Sequence, residues 1–332
     1  MRVCLLSKFS QSSNLLYSGS RLGLEQNNIE YLDIDISVDR HEETPHWISI
    51  PFISPKTPKD EDAKIISKIS QFKPDCILLL QYAGIPFLID NGEKIRKILD
   101  VKGSVGFWFV DLAEQIYENK VLGKYIDFLF LSNAGQLEEY KEKWNVRNAL
   151  FMPQGCYLTN TFSTNKLFKH NVVFLGRRQR QDIRYNDRNA LLDAFQKTLG
   201  LTELSQTVNL QETINLYQES KIILGSSWRN DIRLYSSDRI FNVLGAGGFY
   251  LCSYFPGIEV LFENHKHLVW FKTHEEGLKL AKHYLQNNEE REKIAYNGYM
   301  LVKEKHTYKE RMRDILDILS NKTYQFSGYL KS

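Results

Sequence analysis

The chain has 332 residues, of which 42% are hydrophobic and 25% are charged. This composition is typical of globular proteins with large cores, and it excludes disorder as the main state. With 43 basic and 40 acidic residues the net charge is only +3, which argues against a chain that binds polyanions over its whole surface. The length predicts about two domains.

The charge is distributed unevenly between the two halves of the chain. Residues 1–165 hold 18 basic and 21 acidic side chains, a balance of −3, whereas the remainder holds 25 and 19, a balance of +6. Because the second half carries the positive excess, we expect an anion-binding site there.

Cysteine usage and hydropathy indicate where the protein works. The four cysteines, at positions 4, 76, 156 and 252, form no C-x-x-C pair, which favours a reducing compartment. The first residues contain no apolar stretch long enough for a secretory signal. The longest apolar runs, such as Cys76–Leu80, are far shorter than a membrane span. We therefore expect a cytoplasmic protein without a membrane-spanning segment.

Short apolar runs alternate with amphipathic segments in the first half, and the polar stretch Ser7–Ser20 after the first run is predicted to be a loop. The runs predict buried parallel strands at Val3–Leu6, Ile29–Ile36, Cys76–Leu80, Val105–Val110, Phe128–Leu131 and Ala149–Met152. The amphipathic segments predict helices at Ala63–Phe72, Glu93–Leu99 and Gln136–Trp144. This alternation predicts an open α/β sheet.

A polar segment with Pro153 and Gly155 interrupts the pattern and is typical of a linker. The alternation then resumes. Strands are predicted at Asn171–Leu175, Ile222–Leu224, Phe249–Cys252 and Leu268–Phe271, and helices at Asp187–Leu199, Asp238–Leu244, about 275–287 and 289–304. Thr307 and Glu310 form a capping box that predicts the start of a last helix. Two doubly wound domains follow from this pattern.

Arginines cluster after the strand that ends at Gly176. They occupy Arg177, Arg178, Arg180 and Arg184. A glycine at a strand exit allows a ligand close to the backbone, and guanidinium groups bind phosphate oxygens in a fork. A solvated basic loop is the alternative interpretation of each single arginine.

A second basic segment precedes a predicted helix. Arg233 lies upstream, Ser236 or Ser237 can cap the helix, and Arg239 falls in its first turn. Glycines at 245, 247 and 248 would end the helix and let it approach the next strand, or they form an ordinary helix terminus. If a diphosphate binds here, the arginines should contribute most of the binding energy.

Four consecutive segments of the second half resemble one enzyme family. They are Asp238–Gly248, Pro256–Phe262, Tyr284–Gly298 and Lys305–Arg311. Together they are similar to the C-terminal half of CgeB-type glycosyltransferases, which have the GT-B architecture. The resemblance covers about 90 residues closely and reaches the first half only as topology.

The resemblance implies an α/β fold of the GT-B type, with two facing Rossmann-like domains and a cleft between them. We accordingly expect an acceptor-side domain at 1–165, a donor-binding domain at 166–306, and a C-terminal helix at 307–332 that crosses back to the first domain. The second domain would hold a nucleoside diphosphate sugar, most simply a UDP-sugar, as co-substrate. No separate cofactor is implied.

The same resemblance suggests roles for individual residues. Asn242 would lie near the ribose, at a position that is commonly glutamate in relatives, and an upstream glutamate of retaining relatives would fall near Leu234, which leaves the stereochemical outcome open. We expect the other donor-binding residues to be Gly176, Arg177, Arg233, Asp238, Arg239, Gly247 and Gly248. Cationic side chains and amides can stabilise a diphosphate leaving group without a metal.

Two acidic motifs of the first half have distinct interpretations. Asp111 follows a predicted strand, where a carboxylate can act as general base on an acceptor hydroxyl in an inverting transfer, or it is simply a helix N-cap. Asp33 and Asp35 form a D-x-D, the pattern with which another class of glycosyltransferases binds a metal. Because alternation along a strand produces the same spacing, we expect no metal there.

The leading hypothesis is therefore a glycosyltransferase that moves a hexosyl or pentosyl group to an acceptor hydroxyl. The acceptor is open: a glycan, a small molecule, a protein or modified DNA. The alternatives are a phage-type transferase acting on hydroxymethylated pyrimidine in DNA, a sugar-nucleotide epimerase and a nucleotide-binding module without catalysis. The acidic balance of the first half is a mild argument against DNA.

Overall fold

The computed structural model describes residues 1–9, 15–36, 59–82, 84–100, 103–115, 118–159, 161–163, 167–178, 187–206 and 209–321. These residues form two compact units. The first unit contains Met1–Pro153 together with the last helix from Arg311 onward, and the second unit contains Gln154–Glu310. Within the described ranges, no helix has the length and hydropathy needed to cross a membrane.

The first unit is built on a six-stranded parallel sheet in the order β2-β1-β3-β4-β5-β6. Its strands are β1 (Arg2–Ser7), β2 (Glu30–Asp35), β3 (Cys76–Leu80), β4 (Ser104–Phe109), β5 (Phe128–Leu131) and β6 (Asn148–Phe151). Its helices are α1 (Leu15–Gln26), α2 (Lys59–Phe72), α3 (Gly84–Leu99) and α4 (Leu137–Trp144).

The core of this sheet explains why its strands were recognisable in the sequence. Every residue of β3, β4 and β5 is buried, as expected for parallel strands with both faces covered. On one face Phe107 and Phe109 pack against Tyr140 and Trp144 of α4, with ring centroids 5.5–5.9 Å apart. This aromatic cluster holds the carboxyl end of β4 in place.

The second unit contains a five-stranded parallel sheet in the order β11-β10-β9-β7-β8. Its strands are β7 (His170–Leu175), β8 (Thr202–Leu204), β9 (Ser220–Gly225), β10 (Tyr250–Ser253) and β11 (Val269–Phe271). Its helices are α5 (Asp187–Leu199), α6 (Leu210–Gln218), α7 (Arg239–Gly245), α8 (Ile258–Leu261), α9 (His274–Gln286) and α10 (Asn288–Lys305), and α11 (Tyr308–Asn321) follows them.

In each sheet the strand order reverses at one point, and ligands of such folds bind at that point. In the second sheet β7 lies between β8 and β9, so the chain leaves β7 toward one side and later returns on the other. Open parallel sheets bind ligands beyond the carboxyl ends of the strands at this switch point. The residues that follow β7 and β9 are therefore candidates for a ligand-binding site.

Most of the predicted strands are confirmed, with shifts of one or two residues at their ends. The loop predicted over Ser7–Ser20 is wrong from Leu15 onward, because α1 begins there; residues 10–14 lie outside the described part of the chain. Glycine and serine are weak helix formers, and α1 contains Gly19 and Gly23. Burial of its apolar side overrides that low propensity. Helix α6, the four-residue helix α8 and the short strand β8 were also not predicted from the sequence.

The predicted start of the last helix is confirmed. The Glu310 amide donates to Thr307 Oγ1 at 3.4 Å, and α11 begins at Tyr308. Further along α11, the fully buried Arg311 donates from Nε to the Pro153 carbonyl at 2.8 Å, and Leu319 packs over Gly106 of β4. The last helix therefore covers the first sheet.

A glycine in α10 is predicted to be essential for packing against α7. A Cβ at Gly298 would overlap the His267 carbonyl oxygen and lie 2.8 Å from Leu244 of α7. Alanine normally stabilises a helix relative to glycine by about 1 kcal/mol. Here we expect Gly298→Ala to lower the free energy of unfolding in urea by about 1–3 kcal/mol, because the backbone must shift. Lys293→Ala, on the exposed side of α10, should leave it nearly unchanged. Equal or greater stability of Gly298→Ala would contradict this packing.

Candidate functional site

Two glycines lie at the strand exits of the switch point in the second sheet, and side chains from other elements fill the space beside them. Gly176 follows β7 with φ +154°, a conformation that L-residues rarely adopt. A Cβ there would lie 2.6 Å from Arg239 Nη2. Gly225 ends β9, and a Cβ there would overlap the Tyr250 hydroxyl. Both glycines thus leave room for polar side chains that reach the switch point from other elements.

Arg239, the first residue of α7, supplies one guanidinium group to this point. Its Cζ lies 5.0 Å from the centre of the Phe174 ring. Its positive charge favours the ionised form of the nearby Tyr250 hydroxyl, although burial, the larger effect, raises the pKa of Tyr250. Arg239 Nη1 is buried and has no hydrogen-bond partner among the described residues. A buried donor without a partner costs about 1–3 kcal/mol, so a ligand that accepts from it would be stabilised.

Arg188, near the start of α5, supplies a second guanidinium group and is only 7% exposed. Its Nη1 donates to the Arg177 carbonyl at 3.0 Å, whereas its buried Nε has no partner in the described structure. Its Cζ lies 5.9 Å from the Phe174 ring centre and 5.6 Å from that of Trp228. Burial, and after it the positive charge of Arg239, lower the pKa of Arg188 to about 10.

The two arginines form an electrostatically unfavourable arrangement that an anion would relieve. Both guanidinium groups lie against the same ring, that of Phe174, and neither is ion-paired with a carboxylate in the part of the chain that the structure describes. Like charges in a partly dehydrated site repel, and each lacks a carboxylate to offset its burial. A doubly charged oxyanion such as a diphosphate could accept from both free nitrogens. We call Arg188 and Arg239 the arginine pair.

The other predicted arginines lie in different environments. The side chains of Arg177 and Arg233 are exposed. Arg178 is bound by carboxylates, with Nε and Nη2 donating to Glu203 at 2.8 and 2.6 Å and Nη1 donating to Asp193 at 2.6 Å. These bonds therefore hold the Arg178 side chain at the surface of the unit and not at the switch point. Arg180 and Arg184 lie outside the described residues.

Asp238 and Asn242 bond to each other across the first turn of α7. The Asn242 side chain is buried, its Nδ2 donates to Asp238 Oδ2 at 3.1 Å, and its Oδ1 accepts from the Tyr157 amide at 3.4 Å. Glutamate at this position would place a second carboxylate beside Asp238. Asparagine instead supplies the donor that Asp238 needs, so this bond accounts for the amide at position 242.

The remaining predicted glycines shape the end of α7. Gly247 has φ +74°, a left-handed conformation that favours glycine. A Cβ at Gly248 would lie 2.9 Å from Val243 and 3.0 Å from Ile223 of β9, so this glycine allows close packing of the turn on the sheet. Both glycines lie within the structured turn that joins α7 to β10.

A hydrogen-bonded segment links β9 to α7 and carries Trp228 beside Arg188. The Ser227 amide donates to Asn230 Oδ1 at 3.1 Å, and Ser227 Oγ accepts from the Ser237 amide at 3.2 Å. Ser237 Oγ in turn accepts from the Arg239 amide at 3.3 Å. The residue that immediately precedes α7 is Asp238, whose side chain makes no capping bond, so the predicted serine cap is wrong. Within this segment Leu234 is buried with φ +57°, a strained backbone conformation.

In the first unit, Asp111 follows β4 at the carboxyl edge of the sheet. Burial raises the pKa of its carboxyl group to about 6. The Tyr140 hydroxyl donates to the Asp111 carbonyl at 2.6 Å and so fixes the backbone. The Ala113 amide donates to Gln136 Oε1 at 3.1 Å rather than to Asp111. No described contact therefore assigns a capping role to the Asp111 carboxylate.

The D-x-D of β2 is engaged by protein donors. Asp33 accepts from the Tyr17 hydroxyl at 2.8 Å and lies 3.4 Å from Arg21, while Asp35 accepts from the Phe9 amide at 3.3 Å. These bonds give both carboxylates a structural role, as the alternation along the strand suggested.

Arg188 is the residue of the site that analysis of the sequence missed. It lies in a predicted amphipathic helix, where an arginine is usually a solvated side chain. The only available signal was its place in the first turn of the helix that follows the Gly176 loop. Its convergence with Arg239 depends on the packing of α5 and α7 around β7.

A comparison with protein families matches part of the chain. Residues 164–317 match the family model described as glycosyl transferase-like. The matched segment contains the arginine pair and α7. No curated protein is significantly similar to this sequence. The match confirms the prediction of a glycosyltransferase.

Solved structures are similar over nearly the whole chain. Anabaena HepE in complex with UDP and glucose superposes with a TM-score of 0.63 at 11% identity, covering 97% of this chain and 100% of that chain. A glycosyltransferase from Rickettsia africae gives 0.60 at 10% identity, covering 96% and 98%. Sucrose-phosphate synthase from Thermosynechococcus elongatus gives 0.56 at 9%, with the same two coverages. At such identities the likeness is one of fold, and it confirms the predicted α/β fold of the GT-B type; the facing of the domains and the cleft stay predictions.

The arginine pair is predicted to bind inorganic pyrophosphate. We expect pyrophosphate to raise the Tm of the wild-type chain, and Arg188→Gln or Arg239→Gln to weaken its binding by about 10- to 100-fold, because each removes a charge-assisted hydrogen bond of about 1.5–3 kcal/mol. Isothermal titration calorimetry measures the change. Arg178→Gln is the matched control and should bind as the wild type does. Equal loss in all three variants would indicate only a general effect of positive charge.

Proposed function

We propose that the chain transfers a sugar from a nucleoside diphosphate sugar, most simply a UDP-sugar, to a hydroxyl group of an acceptor. The glycosyl transferase-like match over residues 164–317 supports transfer as the reaction class. The structures of Anabaena HepE with UDP, and with UDP-glucose, support uridine diphosphate as the carrier. The observation that carries the proposal is the arginine pair, whose two buried nitrogens lack partners in the described structure.

The arginine pair supplies what the leaving group needs. As the bond between sugar C1 and the diphosphate oxygen breaks, negative charge grows on the diphosphate. Fixed donors aimed at developing charge in a water-poor site lower the barrier, at roughly 2.7–4 kcal/mol for one such donor. Arg188 Nε and Arg239 Nη1 are donors of this kind, because their surroundings already hold them in place. We therefore infer catalysis that needs no metal or separate cofactor.

The remaining donor contacts are proposed from the sequence and from the resemblance to CgeB-type glycosyltransferases. Gly176 lets the diphosphate approach the β7 exit, and the exposed Arg177 and Arg233 would reach its outer oxygens. Asp238 and Asn242 would lie toward the ribose, with Gly247 and Gly248 allowing close approach. A CgeB-type relationship and a cytoplasmic location are part of this proposal, as are the domain boundaries at 165 and 306.

Asp111 is the proposed general base. With its pKa raised to about 6, the carboxylate is ionised at neutral pH and is more basic than an ordinary aspartate. In the step that we infer, the acceptor oxygen forms a bond to sugar C1 while the bond from C1 to the diphosphate breaks. The acceptor proton passes to Asp111, and the electron pair leaves with the diphosphate. Attack from the opposite side inverts the configuration at C1.

A pH profile of UDP release from UDP-glucose tests this function, with water or an added saccharide as acceptor. We expect kcat/KM to fall about tenfold per pH unit below pH 6, because protonated Asp111 cannot accept a proton. Asp111→Asn should lower kcat by about 10²- to 10⁴-fold and leave UDP affinity unchanged.

Asp90→Asn, on the exposed side of α3, is the control and should retain activity. A wild-type chain that binds neither UDP nor UDP-glucose would overturn the proposed function. Full activity in Asp111→Asn would remove Asp111 as the base while leaving the donor site intact.

A further inference from the structure

Each arginine of the pair directly follows an aspartate at the start of its helix, yet in the described structure neither aspartate is ion-paired with it. Asp187 is the first residue of α5, and its Oδ1 lies 2.8 Å from His274 Nε2. Asp238 precedes α7, and its carboxylate oxygens accept from a serine hydroxyl at 3.0 Å and from Asn242 Nδ2 at 3.1 Å. The carboxylates nearest to the arginine pair in the sequence are therefore engaged by other groups.

A buried aromatic ring lies against the pair in place of a carboxylate. Phe174, near the end of β7, is fully buried in the core that also contains Phe195. Arg239 Cζ lies over its ring at 5.0 Å from the centre, and Arg188 Cζ at 5.9 Å. A Cβ at Gly176 would lie 3.2 Å from Phe174 Cζ, so the tip of the ring reaches the strand exit. The core therefore fixes the ring against which both cations lie.

A ring and a carboxylate bind different parts of a guanidinium group. The face of an aromatic ring carries partial negative charge and attracts a cation that lies over it. A carboxylate instead accepts from the N–H donors at the edge of the guanidinium plane, and a diphosphate needs the same donors. A ring can therefore hold an arginine and leave its edge free. Arg188 Nε and Arg239 Nη1, which lack partners among the described residues, are edge donors of this kind.

A second ring contacts one member of the pair. The centre of the Trp228 ring lies 5.6 Å from Arg188 Cζ, so this guanidinium group lies against two rings. Trp228 is 36% exposed, whereas Phe174 is part of the core. Its replacement should therefore disturb the packing of the unit much less than a replacement of Phe174.

We propose that Phe174, assisted by Trp228, is a positioning residue for the arginine pair. Its ring holds both guanidinium groups by their faces and keeps their edges available to an anion. It acts through the arginines and makes no contact of its own with the anion. The proposal rests on the proposed function for its place in the reaction, because the anion in that reaction is the diphosphate leaving group.

Fluorinated phenylalanines at position 174 test the proposal without changing the shape of the core. Fluorine withdraws negative charge from the ring face, so each added fluorine weakens the attraction of a cation. We expect the Kd of inorganic pyrophosphate, measured by isothermal titration calorimetry, to rise stepwise to about tenfold with 3,4,5-trifluorophenylalanine. The same series at Phe195 is the matched control and should leave the Kd unchanged. A Kd that stays constant along the Phe174 series would overturn the proposal.

A double-mutant cycle with Trp228→Leu tests whether the second ring acts through its arginine. We expect this change to weaken pyrophosphate binding about threefold in the wild type and in Arg239→Gln, and to have no effect in Arg188→Gln. Trp228→Phe, which keeps a ring, should bind more tightly than Trp228→Leu. Equal weakening in all three backgrounds would overturn the positioning role of Trp228, because the ring would then act on the anion directly.

UDP release from UDP-glucose in the same variants separates this proposal from the proposed function. If pyrophosphate affinity follows the fluorination of Phe174 but the wild-type chain releases no UDP, the positioning role is supported and the proposed function fails. If UDP release is normal and pyrophosphate affinity does not follow the ring, the positioning role is overturned and the proposed function is retained. A wild-type chain that binds neither pyrophosphate nor UDP would overturn both.

Discussion

The central feature of the second unit is a pair of positively charged guanidinium groups that lie against one aromatic ring. Arg188 and Arg239 reach Phe174 from different helices, and the described structure offers neither of them a carboxylate. Such an arrangement is unfavourable, because each guanidinium group has one buried nitrogen without a partner among the described residues and no carboxylate offsets its charge. A ligand of opposite charge at this site would offset the repulsion. Gly176 and Gly225 at the strand exits are part of this arrangement, because a side chain at either position would displace Arg239 or Tyr250.

In the proposed function, the two units carry groups of opposite charge. In the second unit the exits of β7 and β9 present buried cationic groups, whereas in the first unit the exit of β4 presents Asp111. The net charges of the two halves of the sequence, −3 and +6, agree with this difference. A transferase needs both: cations to stabilise a departing diphosphate and a base to deprotonate the incoming hydroxyl.

Much of the fold could be predicted from the sequence, and the reason is burial. The strands Cys76–Leu80 and Phe128–Leu131 were predicted with the bounds that the structure gives, because continuous apolar runs are the pattern of covered parallel strands. Helix α1 could not be predicted, since packing overrides the weak propensity of its glycines. At the candidate site, the position after a strand singled out Asp111 and the helix pattern singled out Arg239, and the roles of both stay predictions. Arg188 was missed because the contact with Phe174 exists only once α5 and α7 have packed, and Asp111's raised pKa likewise depends on its folded surroundings.

The central claim, that the arginine pair receives the diphosphate, is tested most directly by a crystal structure of the chain with UDP bound. The account predicts diphosphate oxygens within hydrogen-bond distance, about 2.7–2.9 Å, of Arg188 Nε and Arg239 Nη1, the two nitrogens without partners in the described structure. A diphosphate held by the exposed Arg177 and Arg233 alone, with both buried nitrogens still without a ligand, would contradict it.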